Sequence, residues 1–533
     1  MANKDYKLLQ GIREKIKDLS DVYLKELSLD SAIIFEYPLD KDVISALTAI
    51  TLKGSDEDYQ IFQFLKEINI LWKLIIEKSI KCLRYFDIRE PFLKNKSKKP
   101  IAYGVSELGE YFDKYSEFES MLYGGVKYYR DHVVHVFRTW LLGMDCMLEN
   151  DGEYLQNISI GKNIKTNQFE KLSIWSIIAL THDLGYPLEK SQEIIDKTRD
   201  MMKSFIENPI ISVDLSFNGV QNNMNDFVVR FLSSKMHEQL NYGSVEKVNS
   251  EGESALKNET KAPKRYVARL QPKYYFKFQK SLEKSMHGIL SSIIIYKLLI
   301  YFLESDYSIN EDYIFYEEDV RQFYIRREIL RAIAAHTCHD IYHLDMLSFT
   351  FLLIVVDDSQ SWGRKKISEL YVKSNTQYEF KEIKPIFNVK SIDIDGDSVQ
   401  LHKCTVSEQF TLPKEEINGL KRLLLDLKKQ CEDYKEIFRD GQDTAKRNFT
   451  FIKKCKLIYE EEKSITFDIE FTISNDEKSS FSITVEKTGN IKLNKKFDLT
   501  FMPGIYKDAY YVIERVESDD NIQFIVQDKN VWN

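Results

Sequence analysis

Of the nine histidines in this 533-residue chain, all but His402 lie between His132 and His343. Imidazole titrates near neutral pH and is the commonest side-chain ligand for transition metals, so such crowding points to proton transfer or metal binding. In YYRDHVVHVFRTWLLG, residues Asp131, His132, His135 and Arg138 fall three or four apart and would share one helix face, with Val134, Phe137 and Leu141 on the other. The segment LSIWSIIALTHDLGYP is almost wholly apolar until it delivers Thr181, His182 and Asp183, and Gly185 and Pro187 then stop the helix. A buried aspartate is costly to ionise without a strong partner, and a divalent cation supplies one. His287 opens the apolar run of SLEKSMHGILSSIIIY, His336 closes that of REILRAIAAHTCHDIYH, and Asp357-Asp358 close LSFTFLLIVVDDSQSWGR. Any one of these by itself reads more readily as a cap or a satisfied core residue. Together, in order, they read as a site.

The elements that must position these residues are helices. Periodic apolar patterns predict them over Lys127–Met147, Lys171–Leu184, Ser281–Leu303, Val320–His336 and Leu344–Asp358. These make a core domain over 121–372, interrupted by a Gly-, Ser- and Lys-rich stretch at about 241–264 that reads as a mobile surface insertion. Residues 1–120 carry helical periodicity and form a helical lead-in. After 373 the period changes. Ile465, Phe467, Ile469, Phe471 and Ile473, then Phe481, Ile483 and Val485, alternate with polar residues and predict a hairpin; VKSIDIDGDSVQLHK predicts another, turning at Asp395-Gly396. Between them Ile417, Leu420, Leu424, Leu427, Cys431, Tyr434 and Phe438 form one apolar helical stripe. The expected fold is mainly α: a helical core with a helical N-terminal extension and a C-terminal α+β accessory domain over 373–533.

The order H, HD, H, H, D resembles the HD superfamily of metal-dependent phosphohydrolases. The motifs that carry it are HxxRT at His135, small residues after His287, AIAAH before His336, and LLIVVDDxQxWGR around Asp357. The similarity covers about 130–366, less the insertion. It implies that His135, His182, Asp183 and Asp357 hold one divalent ion and that Asp183 bridges to a second held by His287 and His336. Mn, Fe, Co, Ni, Zn and Mg all remain open. It further implies hydrolysis of a phosphoester or phosphoanhydride in a small nucleotide-like substrate, with Asp183 at the catalytic centre. Lys190 and Arg364 stand seven residues after the doublet and after Asp357, where either could reach a phosphate, and His132, His339 or His343 could protonate a leaving oxygen. Asp358 is the alternative to Asp357 as a ligand.

Departures from the family keep the substrate open. The doublet runs into GYPLEK, unlike alarmone hydrolases or deoxynucleotide triphosphohydrolases, and its GYP is contiguous with HD where cyclic-dinucleotide phosphodiesterases carry it downstream. A binuclear phosphodiesterase or monophosphatase, a regulated nucleoside triphosphate hydrolase of the sort found in phage defence, and a non-catalytic HD scaffold whose C-terminal module binds a signal are the alternatives. Oligomers are typical of the family.

Bulk properties narrow the setting. With a net charge of −8 and a pI near 5.8, the chain as a whole repels duplex nucleic acid and acidic membranes. The six cysteines are scattered without a CxxC pair, and the longest greasy stretch, Gly288–Leu303, is short and interrupted by Lys297, so a reduced, cytoplasmic protein is expected. No GxxxxGK[ST] or dinucleotide glycine fingerprint occurs, and DIDGD at Asp393–Asp397 has neither the glycine offset nor the closing glutamate of a calcium loop. Phosphate would have to be held by metals and side chains.

Overall fold

The computed structural model describes residues 4–26, 36–52, 61–87, 99–125, 131–160, 164–206, 220–239, 264–308, 313–338, 341, 345–360, 362, 379–394, 397–412, 434, 447–459, 465–474, 480–487 and 490–498. Helices dominate up to residue 360. They are α1 (Lys4–Glu26), α2 (Lys41–Leu52), α3 (Leu65–Tyr85), α4 (Val105–Gly125), α5 (Val133–Leu148), α6 (Glu153–Asn157), α7 (Gln168–Thr181), α8 (Tyr186–Met202), α9 (Val220–Ser233), α10 (Pro272–Glu283), α11 (His287–Leu298), α12 (Ile300–Leu303), α13 (Glu317–Ala335) and α14 (Phe349–Ser359). No helix among the described residues is long and apolar enough to cross a membrane.

Helix α7 is the axis of this body, and its sequence explains why. From Leu172 onward it carries no charged side chain on any face, and Phe169 through Thr181 are all buried, as expected of a helix enclosed by others. Asn167 fixes its start in a reciprocal capping box with Glu170, at 2.9 and 3.0 Å. Tryptophans pin it to its neighbours. Trp72 of α3 donates to the Leu180 carbonyl at 2.7 Å, Trp140 of α5 donates to Ser176 Oγ at 3.0 Å, and Trp175 donates back to the Trp140 carbonyl at 3.2 Å. The end of α7, where the HD doublet sits, is thereby held from two sides.

Two of the expected helices depart from their apolar pattern in ways that bear on the histidines. Helix α5 starts at Val133, with His132 at its N-cap position and Asp131 Oδ1 accepting from the Val134 amide at 3.2 Å. Asp131, His132, His135 and Arg138 are as buried as Val134, Phe137 and Leu141, so α5 has no solvent face here. The run expected as one helix over Ser281–Leu303 is broken twice. Ser285 takes φ +51° after α10, and Leu299 is extended between α11 and α12. The first break frees the N-terminus of α11 at His287.

Strands occur where none was expected inside the helical part. β1 (Ser234–Gln239) and β2 (Arg265–Leu270) pair antiparallel, Met236 opposite Ala268, and β3 (Ile314–Phe315) completes a small sheet. They flank the insertion, whose residues 240–263 lie outside the described set. The polar residues of β1 hide an alternation that only tertiary pairing reveals.

The C-terminal part is one six-stranded sheet in sequence order: β4 (Glu379–Ile394), β5 (Asp397–Leu412), β6 (Arg447–Tyr459), β7 (Ile465–Ser474), β8 (Ser480–Lys487) and β9 (Asn490–Asp498). Both expected hairpins are present, with Ile394 opposite Asp397 and Phe471 opposite Phe481. The parallel β5–β6 pair needs a crossover, and the expected helix lies on it, outside the described residues except for Tyr434. Tyr434 is buried and stacks on Phe451 at 4.3 Å. The sheet shares the helical core: Phe387 of β4 stacks on Tyr154 of α6 at 4.1 Å, and Phe351 of α14 meets Phe451 edge-on.

Candidate metal centre

His135, His182, Asp183, His287, His336 and Asp357 come together in one cluster from α5, the end of α7, the start of α11, the end of α13 and the last turn of α14. Asp183 is its middle. Its Oδ2 lies 3.5 Å from His182 Nε2 and 3.7 Å from His135 Nε2, while its Oδ1 lies 3.3 Å from His287 Nε2 and 3.6 Å from His336 Nε2. Asp357 Oδ1 faces the first pair only, at 2.7 Å from His135 Nε2 and 3.6 Å from His182 Nε2. The carboxylate of Asp183 thus divides between two groups of imidazoles.

The far side of each ring fixes which nitrogen is left for the centre. His182 Nδ1 donates to the Ala179 carbonyl at 2.8 Å and His336 Nδ1 to the Ile333 carbonyl at 2.5 Å, because a carbonyl can only accept. His287 Nδ1 donates to Glu189 at 2.8 Å, and the same Glu189 oxygen accepts the His287 backbone amide at 2.8 Å. His135 Nδ1 donates to Gln360 Oε1, whose orientation is set by Gln360 Nε2 donating to the Trp362 carbonyl at 2.9 Å. Every Nε2 therefore turns inward with its lone pair available, the arrangement that orients imidazole ligands in metal sites.

Those inward atoms repel one another unless positive charge lies among them. His287 Nε2 and His336 Nε2 are 3.2 Å apart, and the buried His182 Nε2 has no hydrogen-bond partner among the described residues. Four imidazole lone pairs and two carboxylates form a nitrogen–oxygen donor set of the kind divalent transition metals take. His135, His182 and Asp357 present ligand atoms close enough to hold one ion, and so do His182, Asp183 and His336, a grouping that draws on the same His182 ring.

Without metal, protons take that place. Burial opposes charge on His287, but Asp183 and Glu189 more than offset it and push its pKa up to about 9. Burial likewise opposes charge on Asp183 and Asp357, and the surrounding imidazoles hold both carboxyls well below the usual range. An ion binding here must expel the His287 proton. Metal affinity is therefore expected to rise with pH between 6 and 9, with proton release seen by calorimetry in buffers of different ionisation enthalpy; binding that takes up no proton and ignores pH would contradict this.

Close approach of the elements depends on two glycines. A Cβ at Gly185 would sit 2.4 Å from the His287 carbonyl, and one at Gly288 would meet the Ile333 carbonyl at 2.7 Å and Thr337 Oγ1 at 2.6 Å. Gly288→Ala is expected to force α11 from α13, lowering stability by about 1–3 kcal/mol. It should weaken the His287–His336 side by about tenfold or more while sparing His135, His182 and Asp357. Thermal unfolding and stepwise metal titration check both.

The remaining expected residues are placed as follows. His132 is buried at the border of the cluster, its ring stacked on Tyr186 at 3.8 Å and its amide donating to Glu119 at 2.6 Å. Lys190 lies 5.3 Å above the other aromatic partner of that border, the Tyr186 ring, and 3.6 Å from Glu189. Asp358 is not in the cluster but hydrogen-bonds Tyr434. His339, His343 and Arg364 lie outside the described residues. Sequence reasoning missed Glu189 and Tyr186, which follow the doublet within one turn of α8, and Asp5, far upstream. Asp5 binds the Arg138 guanidinium bidentately at 2.8 and 2.7 Å and accepts from Trp362 Nε1 at 2.9 Å. Proximity to His182-Asp183 was the one available signal for Glu189; nothing in the sequence marks Asp5. A scan of the chain against protein-family models gives no match, and neither a curated protein nor a solved structure is found similar to it.

Proposed function

We propose that this chain is a metal-dependent phosphohydrolase of the HD type, cleaving a phosphoester or phosphoanhydride bond in a small nucleotide-like substrate. One observation carries the reading: four imidazoles, each locked with Nε2 inward, surround two carboxylates, and Asp183 presents one oxygen to each side. This set would hold two divalent ions, which when bound neutralise phosphate charge and lower the pKa of water. The chain's own residues do the rest. Glu189 and Gln360 hold rings in register, and Lys190 adds positive charge at the border. Access is from the side of Asp357 and His287, whose side chains are 25% and 17% exposed, against at most 6% for the other four.

The test is a panel of nucleoside mono-, di- and triphosphates and bis-(p-nitrophenyl) phosphate, offered to protein stripped with chelator and reloaded in turn with Mn, Fe, Co, Ni, Zn or Mg. Expected is hydrolysis of at least one compound, absent after stripping and restored by reloading. Metal retention with no turnover of any compound would overturn the enzymatic reading and leave a metal-bound scaffold.

A further inference from the structure

A second cavity lies apart from the histidine cluster. It lies between the small sheet β1–β2–β3 and α13, with a volume of about 960 Å³, within the range of small-molecule sites. Six basic side chains line it against three acidic ones. Some of that charge is matched internally: Glu238 pairs with Lys264 at 3.6 Å, and Arg321 pairs with Glu170. Arg327 and Arg331 are different. Neither makes an ion pair with any described carboxylate, although Arg327 is only 8% exposed. Its Nη1 donates to the Ser234 carbonyl at 2.8 Å, and its buried Nε has no partner among the described residues.

A buried guanidinium with a second one beside it is costly unless an anion compensates both. Burial, reinforced by Arg331 and only partly opposed by Glu328, lowers the pKa of Arg327 to about 10. Glu328, next to Arg327 in the chain, attracts both cations but forms an ion pair with neither, and aromatic faces cover them: Arg331 lies 4.1 Å over the Tyr274 ring and Arg327 lies 4.6 Å over Tyr324. Such faces hold the cations without neutralising them.

The cavity is also polarised. Val320, Tyr324, Arg327 and Arg331 recur at helical spacing on one face of α13, while Glu317 and Glu318 occupy its first turn. From Glu317 to Arg331 the helix rises about 21 Å. One end thus suits phosphates, and the other suits hydroxyl or amine donors, with tyrosines between them.

We infer that this cavity is a binding site for a nucleoside polyphosphate, its phosphates on Arg327 and Arg331 and its ring among the tyrosines, separate from the metal centre. The inference does not depend on what the metal centre does. The two sites share α13, since Arg331 precedes His336 by five residues, about 7.5 Å along the helix.

Calorimetry of the full chain in chelator separates this site from any ion-dependent binding. ATP, inorganic tripolyphosphate and adenosine serve as probes. ATP is expected to bind with tripolyphosphate weaker and adenosine weakest, and Arg331→Glu should weaken ATP at least tenfold. Lys235→Glu, at an exposed position where folding is not at risk, should weaken it severalfold; Asp183→Asn should leave it unchanged. Absence of ATP binding by the wild type, or binding that Arg331→Glu and Lys235→Glu both leave intact, would overturn the inference, as would its loss in Asp183→Asn. Tripolyphosphate binding as tightly as ATP would overturn the nucleotide assignment.

Discussion

Asp183→Asn is expected to lower turnover by about three orders of magnitude and to leave the chain with fewer bound ions than the wild type. The substitution keeps the size of the side chain and removes its charge. Asp183 alone has an oxygen facing each side of the cluster, 3.5 Å from His182 and 3.3 Å from His287. An amide presents one acceptor oxygen, so whichever way it turns one side loses its shared anionic ligand. The His135–His182–Asp357 group keeps its own carboxylate and retains some affinity. Steady-state rates on the substrate found by the panel, with metal content from plasma emission, measure both effects. Full activity at wild-type metal content would show that Asp183 is a bystander.

The largest expected effect on stability lies at the other end of the chain. Asp5→Ala should lower unfolding free energy by about 3–5 kcal/mol, because it strands the buried Arg138 charge. Both partners are nearly inaccessible, Asp5 at 4% and Arg138 at 3%. The consequence extends to the metal centre. Asp5 accepts from Trp362 Nε1, the Trp362 carbonyl accepts from Gln360, and Gln360 orients His135. Metal affinity is expected to fall by about 10–100-fold in consequence. Asp5→Ala combined with Arg138→Met should recover a good part of the stability, since an apolar side chain then fills the site without a lone charge. Denaturant titration of the two variants distinguishes this from simple loss of packing, which the second substitution would worsen.

What could be read from the residues was the set of histidines and aspartates that meet in one cluster, and the helices that carry them. An apolar run that stops at His182-Asp183 or at Asp357 could equally end in a cap, and it was the ordered repetition of that arrangement that set these residues apart. Hairpins with clean alternation, such as Phe467–Ile473 against Phe481–Val485, were legible because one face must be buried. The second layer of the centre was not. Glu189 and Gln360 act because tertiary packing brings them to the outer nitrogens of His287 and His135, and no local spacing encodes that. Helix breaks at Ser285 and Leu299 escaped notice because apolar periodicity continues through both. There tertiary demand, the freeing of an N-terminus at His287 for Glu189, outweighs helix propensity. β1 stayed hidden because SKMHEQ gives the core only Met236 as an apolar side chain, and its strand conformation comes from pairing with β2.

The most direct measurement is the X-ray absorption fine structure of the chain loaded with cobalt or zinc. Two ions per chain, an inner shell of nitrogen and oxygen, outer scattering from imidazole rings and a metal–metal vector of about 3.5–4 Å are predicted. Spectra without imidazole scattering, or a protein that retains no ion after desalting, would contradict the account.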